Sequence, residues 1–412
     1  MKRLFFCSLF GVAGLVATQA QANEVFVGHL ADYTGPTSFI GVDYGQGVRD
    51  ALDYVNASGG IKGTKINSET YDYAYKVPQA ISAYKKWRSR NKMSVMQGWG
   101  TGDTEALITF VARDKVPVFS ASYSGHLTDP MGVNPNTKKP APYNFFYGPS
   151  YSDACRALVH WAAADWQAKG GEGKPKFVHA GANHPYPEAP RKACGEYASE
   201  LGFDVVPRVV VSMKPEDFKA QCLSIKDAGV NYTYLGNLGG SVVALLKSCN
   251  TVGVQTQWMS NIWAGDKKTL EAIGTNAKDY VFPAASSFWT DNHPGSKLLK
   301  KISRQSDADG SKYRVHHYIR GVCSVFYMKE AMEWAAANGG ITGPNIKEGM
   351  YQKKDWVPAG LEGVCLPSTW SKRDHRGSIV VNIYKGNIVD GEAVIERVNQ
   401  VRLPRRDDWL GY

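Results

Sequence analysis

Several features are missing from this sequence of 412 residues, and each absence narrows its chemistry. After residue 22 no stretch approaches the eighteen or so consecutive apolar residues of a membrane-spanning helix. No C-x-x-C occurs, which leaves a redox dithiol or zinc knuckle without support. No G-x-S-x-G occurs either, and Ser122 and Ser124 have no recognisable His and Asp partners, so no nucleophile stands beside a base. The turn Gly98-Trp99-Gly100-Thr101-Gly102 reads G-x-G-x-G and lacks the closing G-x-x-G interval of a dinucleotide fingerprint. His316-His317 open a helical stretch where adjacent side chains diverge, which argues against a metal pair. The expectation is a protein with no catalytic residues, no cofactor and no metal.

What is present describes an exported globular chain. There are 48 Lys+Arg against 38 Asp+Glu, a formal charge of +10, but the basic residues are scattered. Nucleic-acid binding would need them clustered on one element or face. Residues 1–22 read as a secretory leader: Lys2 and Arg3, an apolar run from Leu4 to Val16, then Ala20-Gln21-Ala22. Cys7 lies inside that run, so it is not placed for lipid attachment. Without it six cysteines remain, an even number that favours disulfides in an oxidising compartment, with the pairing open.

Strand and helix patterns alternate along the rest. Strands are predicted over 24–30, 65–71, 93–97 and 116–120, with helices over 42–57, 77–90 and 104–113 between them. Val42, Val48, Leu52 and Val55 supply the spacing of the first helix. The rhythm repeats with helices over 151–167, 188–201, 215–228 and 241–252 and strands over 176–179, 204–211 and 231–235. A long helix over 313–338, and a strand over 378–384 followed by a turn at Lys385-Gly386-Asn387, complete the reading. The order implies α/β architecture with two doubly wound parallel sheets. Ligands in such sheets sit beyond the carboxyl ends of the strands. That rule selects residues 32–41, 98–104, 120–125, 182–187 and 236–240.

These segments carry a resemblance. The stretch from Val25 to Gly63 runs strand, Tyr33-Thr34-Gly35-Pro36, Gly41, then Asn56-Ala57-Ser58-Gly59-Gly60-Ile61-Lys62-Gly63. With Val116-Pro117-Val118-Phe119-Ser120 and Tyr186, it is similar to the periplasmic solute-binding proteins of the leucine/isoleucine/valine-binding type that serve ABC importers. The resemblance implies a type I fold of two lobes joined by a three-crossing hinge, with crossings near 144–148, 284–288 and 362–370. Lobe one would be residues 23–145 and 287–363, and lobe two 146–286 and 364–412. It implies a monomer in the periplasm that closes over a small-molecule ligand and presents it to a membrane permease. A ligand sensor with the same bilobed fold is the other class considered.

The resemblance also proposes a site. A ligand carboxylate would meet Thr101, Gly102 and Asp103 after the third strand and Ser122 and Ser124 after the fourth, with Tyr186 closing from lobe two. Hydroxyls and orphan N–H groups at a helix N-terminus suit an anion. Asp103 departs from this, as either a helix cap or a partner for a neutral or cationic ligand. Trp99, Tyr123 and Trp263 would add aromatic walls, alongside Tyr33, Phe39 and Trp289. Branched-chain amino-acid binders place an acid after the strand matching 231–235 to pair with the ligand's ammonium. Here Asn237-Leu238-Gly239-Gly240 stands there. An ammonium buried without such a partner is costly, so the expected ligand is a carboxylate or aromatic compound rather than a standard amino acid. A branched-chain or aromatic amino acid is the alternative. In this frame Cys222 and Cys249 fall on consecutive helices, Cys155 and Cys194 form another near pair, and Cys323 could reach Cys365.

Overall fold

The structure is a computed structural model that describes residues 24–412, so the leader read over residues 1–22 lies outside the described residues. The chain opens with β1 (Glu24–Ala31), α1 (Ser38–Ala57), β2 (Lys65–Asp72), α2 (Val77–Asn91), β3 (Val95–Gly98), α3 (Thr101–Asp114), β4 (Val118–Ser120) and β5 (Asn144–Phe145). These strands form one parallel sheet in the order β2-β1-β3-β4-β5. The next part runs α4 (Tyr151–Ala168), β6 (Lys176–Gly181), α5 (Pro185–Glu188), α6 (Arg191–Glu200), β7 (Asp204–Val205), β8 (Val209–Val210), α7 (Lys219–Asp227), β9 (Tyr232–Leu235), α8 (Gly239–Thr251), β10 (Gln257–Ser260), α9 (Lys267–Ile273) and β11 (Tyr280–Ala284). Then come α10 (Ser296–Ser303), α11 (His316–Ala337), α12 (Gly343–Gly349), β12 (Val380–Val389) and β13 (Glu392–Arg402). The second sheet runs β13-β12-β11-β10-β9-β6-β7, parallel except for the antiparallel β11–β12 and β12–β13 pairs, with β8 also on β6. This is the two-sheet α/β fold expected from the alternation, extended by a terminal hairpin.

α10, α11 and α12 return to the first sheet, so the chain runs between the two sheets three times. The passages lie side by side. Ser287 N–H donates to the Val364 carbonyl at 2.9 Å, and Ser378 N–H donates to the Gly148 carbonyl at 3.1 Å. The three cysteine pairs considered from sequence are the disulfides seen: Cys155–Cys194, Cys222–Cys249 and Cys323–Cys365.

α1 and α11 meet glycine to backbone. A Cβ on Gly47 would lie 2.1 Å from the Tyr318 carbonyl oxygen, and one on Gly321 would lie 2.3 Å from that of Tyr44. Tyr44 of α1 and Arg320 of α11 lie within electrostatic reach of each other. The apolar stripe of α1 is Ile40, Tyr44, Val48, Ala51, Leu52 and Val55, each fully buried aliphatic side chain contributing about 1.5–3 kcal/mol. Val42, expected on that stripe, is 46% exposed, because the core face is one residue out of step with it.

Three other expectations are corrected. The predicted turn Lys385-Gly386-Asn387 lies inside β12, and the reversal comes at Asp390-Gly391. Gly386 is needed for packing: a Cβ there would sit 2.6 Å from Leu270 of α9. The strand predicted over 204–211 is split into β7 and β8 around Pro207, which offers the ladder no N–H. The helix predicted from Pro215 starts at Lys219.

Candidate ligand-binding site

The carboxyl ends of the two sheets face each other across a narrow cavity between the lobes. Thr37, Tyr75, Trp99, Gly100, Thr101 and Ala121 line it from the first sheet's side, and Tyr151, Tyr186, Leu238 and Trp263 from the second. Five of these ten are aromatic and none is charged.

Each ring is held by a network behind it. Asp32, at the end of β1, accepts from Gly35 N–H at 2.6 Å and from Thr37 N–H at 2.9 Å, which fixes the Thr34-Gly35-Pro36 turn. The Thr37 hydroxyl also donates to Asp32 and receives the Trp99 indole N–H at 2.8 Å. Tyr75 enters through left-handed backbone at Ala74 and Tyr75 (φ 49° and 58°), conformations that cost about 1–3 kcal/mol each and concentrate at binding sites. Its ring stacks on His184 from the opposite side, centroids 5.3 Å apart. On that side Asn261 does the positioning. Its Oδ1 accepts from the Tyr186 hydroxyl at 2.6 Å and Trp263 N–H at 2.8 Å, while its Nδ2 donates to the carbonyls of Leu235, Gly236 and Asn237. The Trp263 indole N–H donates to the Tyr151 hydroxyl at 2.9 Å.

Of the residues selected from sequence, Trp99, Thr101, Tyr186 and Trp263 line this cavity. The other six are placed beside it. Gly102 follows Thr101 in the first turn of α3, where an added Cβ would meet Val77. Ser122 donates through its hydroxyl to Thr101 Oγ1 at 2.9 Å and so orients that side chain. The Ser124 hydroxyl donates to Glu105 at 2.7 Å and accepts from His126 N–H, engaged in its own loop. Tyr123 is buried one layer back, 5.6 Å from Trp263 between centroids. Asn237 has its amide fully engaged inside the second lobe: Oδ1 accepts from Ala182 N–H, and Nδ2 faces the Val211 and Ser212 carbonyls and Ser241 Oγ.

Asp103 does not occupy the N-cap position of α3, which is Gly100. Its Oδ1 accepts from the Tyr73 hydroxyl at 2.7 Å, and its Oδ2 is buried without a partner. Burial pushes its carboxyl up to about 7, against the opposing pull of the Tyr73 hydroxyl. Near neutral pH this carboxyl is present in both protonation states, so it can offer either an acceptor oxygen or an O–H donor.

Sequence reasoning missed Tyr75, Tyr151 and Asn261, and also a buried cluster on α11. Arg320 is fully buried, its guanidinium 3.3 Å from the Trp263 ring centroid and 4.8 Å from that of Tyr123. Its Nη1 donates to the Ile262 carbonyl at 2.9 Å and faces His317 Nδ1 at 3.3 Å. Because Arg320 only donates, Nδ1 must accept, and His317 Nε2–H is directed to Asp266 Oδ2 at 3.2 Å. Burial keeps His317 below its usual range, outweighing Asp266. Burial pushes Asp266 upward, but the His317 and Thr269 hydrogen bonds prevail and hold it below the usual carboxylate range. A lone Arg inside the apolar run Ile319–Met328 was the available signal.

Two facing lobes around a buried cavity, with aromatic walls and no catalytic constellation among the described residues, define a bilobed binding protein. Residues 24–392 match the periplasmic binding protein family model, and the chain belongs to that family. By family it is a periplasmic binding protein, and its fold is that of the type I substrate-binding proteins. It is 23% identical to Leu/Ile/Val-binding protein homolog 1 of Brucella melitensis biotype 1, over 77% of this chain and 81% of that one. It is 22% identical to an amino acid binding protein of Pseudomonas aeruginosa, over 87% and 92%. Among solved structures, an ABC transporter substrate-binding protein of Aeropyrum pernix superposes with a TM-score of 0.81 at 24% identity, covering 94% of this chain and 98% of that one. A branched chain amino acid ABC transporter protein of Thermus thermophilus with bound valine gives 0.78 at 21%, covering 90% and 95%. A fatty acid ABC transporter substrate-binding protein of Thermomonospora curvata also gives 0.78, at 17%, covering 92% and 93%.

Proposed function

We propose that this chain captures a small aromatic or other organic carboxylate rather than a standard α-amino acid, closes over it and delivers it to the permease of an ABC importer. The observation that carries this reading is Asn237. It stands where the resemblance to amino-acid binders calls for an acid, and both its amide atoms are engaged within the second lobe. No charged side chain lines the cavity, so an α-ammonium there would be buried without an ionised partner. Five rings suit a flat or apolar ligand. Lobes of residues 23–145 with 287–363 and 146–286 with 364–412 would swing about the three adjacent passages, as binding proteins of this kind do. The chain would act as a monomer in the periplasm after loss of residues 1–22.

A thermal-shift screen of the refolded, ligand-stripped mature chain tests it. The panel holds amino acids, aromatic acids, short carboxylates, amides and quaternary amines. A ligand at about 100 times its Kd adds roughly 2.7 kcal/mol, a few degrees in Tm. The reading expects the shift among carboxylates lacking an ammonium; a shift with leucine or valine instead would overturn it.

A further inference from the structure

Arg320 is a buried cation with an incomplete set of partners. Among the described residues it forms no ion pair with a carboxylate, and its Nη2 has no hydrogen-bond acceptor. Two phenols nearby share that condition: the hydroxyls of Tyr44 and Tyr147 are buried and unpartnered. Both lie within electrostatic reach of the guanidinium. Unpaired buried donors are rare and costly, and a guanidinium is the costliest of them. Three in one place describe a receptor for an acceptor-rich group.

The cluster adjoins the cavity. Tyr44 packs against Trp99 and Trp263, at 5.2 and 5.8 Å between centroids, and both indoles also line the cavity. The alternative anion site, the first turn of α3, carries the buried Asp103 carboxyl with its own unpartnered oxygen.

We propose that Arg320, with the Tyr44 and Tyr147 hydroxyls, receives the carboxylate of the ligand, whose ring occupies the aromatic cavity. The ligand class is then an aromatic monocarboxylate, its two oxygens matched to a planar donor fork. This rests on the reading that the ligand has no ammonium.

Isothermal titration of the mature chain with benzoate and phenylacetate, their carboxamides, benzylamine and leucine tests it. The acids bind at least about tenfold more tightly than the amides. Arg320→Gln removes that preference. Because Arg320 also packs between the lobes, Tyr44→Phe and Tyr147→Phe provide near-isosteric checks. Each weakens the acids about three- to tenfold and leaves the amides within about twofold. Amides binding as well as the acids would overturn the Arg320 assignment and leave an ammonium-free aromatic ligand standing, and so would an acid preference that survives all three substitutions; benzylamine binding as well as the acids would overturn the ammonium-free reading itself. Leucine binding in place of the acids would overturn the underlying reading, and silence from every probe would overturn the aromatic-monocarboxylate class.

Discussion

Asn237→Asp would restore an acid where amino-acid binders are expected to carry one, yet this fold cannot use it. Nδ2 of Asn237 donates to the Val211 carbonyl at 3.0 Å, the Ser212 carbonyl at 2.9 Å and Ser241 Oγ at 2.9 Å. A carboxylate oxygen there would face two carbonyl oxygens. Ser241 could turn its hydroxyl toward it only by leaving Ser212, to which it donates at 2.5 Å. The amide's two N–H donors, one of them shared between acceptors, at about 1 kcal/mol net each put the loss near 2 kcal/mol. Burial and the facing carbonyls would raise the new carboxyl above its unfolded value near 4, and in its protonated form one donor survives. A carboxyl raised in the folded state loses stability as pH rises from the unfolded value through the folded one. The variant is therefore expected to lie closer to the parent at pH 5 than at pH 8. Urea denaturation at both pH values, with leucine titration of the variant, measures this. An Asn237→Asp protein as stable as the parent at pH 8 that binds leucine would refute the reasoning.

Other expectations follow from single contacts. Gly47→Ala sets a Cβ 2.1 Å from the Tyr318 carbonyl oxygen, so overpacking outweighs the helix-propensity gain of about 1 kcal/mol, and urea denaturation should show a net loss of about 2 kcal/mol. A variant as stable as the parent would contradict the close approach of α1 and α11. Removing the Cys222–Cys249 disulfide, which spans 27 residues, should cost about 3–4 kcal/mol by the same assay; a loss below about 1 kcal/mol would count against it. Asp103, with its folded carboxyl at about 7, should make the parent less stable as pH rises from about 4 to 7. Asp103→Asn should flatten that part of the Tm-versus-pH curve, and an unchanged slope would assign it to other groups.

The alternation of strand and helix made the two sheets legible, because each apolar run is bounded by a turn. Trp99, Thr101 and Tyr186 were legible for a related reason: they follow predicted strands, and strand ends in open sheets face the cleft, whereas Trp263 follows β10, a strand the alternation did not reveal. Tyr75 was not, because it follows an ordinary strand end and enters the cavity only through two left-handed residues. Ser124 and Asn237 differ: a polar side chain at a strand end invites a ligand role, while theirs are taken up by protein partners, Glu105 and the Val211 carbonyl among them. Asn261, Arg320 and His317 were hidden because their importance depends on partners far apart in sequence. Gly386 marked a close approach of helix to strand, and in sequence that is indistinguishable from a turn.

The most direct test of a cavity without an ammonium partner uses two ligands that differ by that group alone. Isothermal titration of the mature chain should be run with 3-phenylpropanoate and with L-phenylalanine under the same conditions. The account predicts that 3-phenylpropanoate binds and that phenylalanine binds at least about tenfold more weakly, because its ammonium enters a space lined by no charged side chain. Tighter binding of phenylalanine would contradict it.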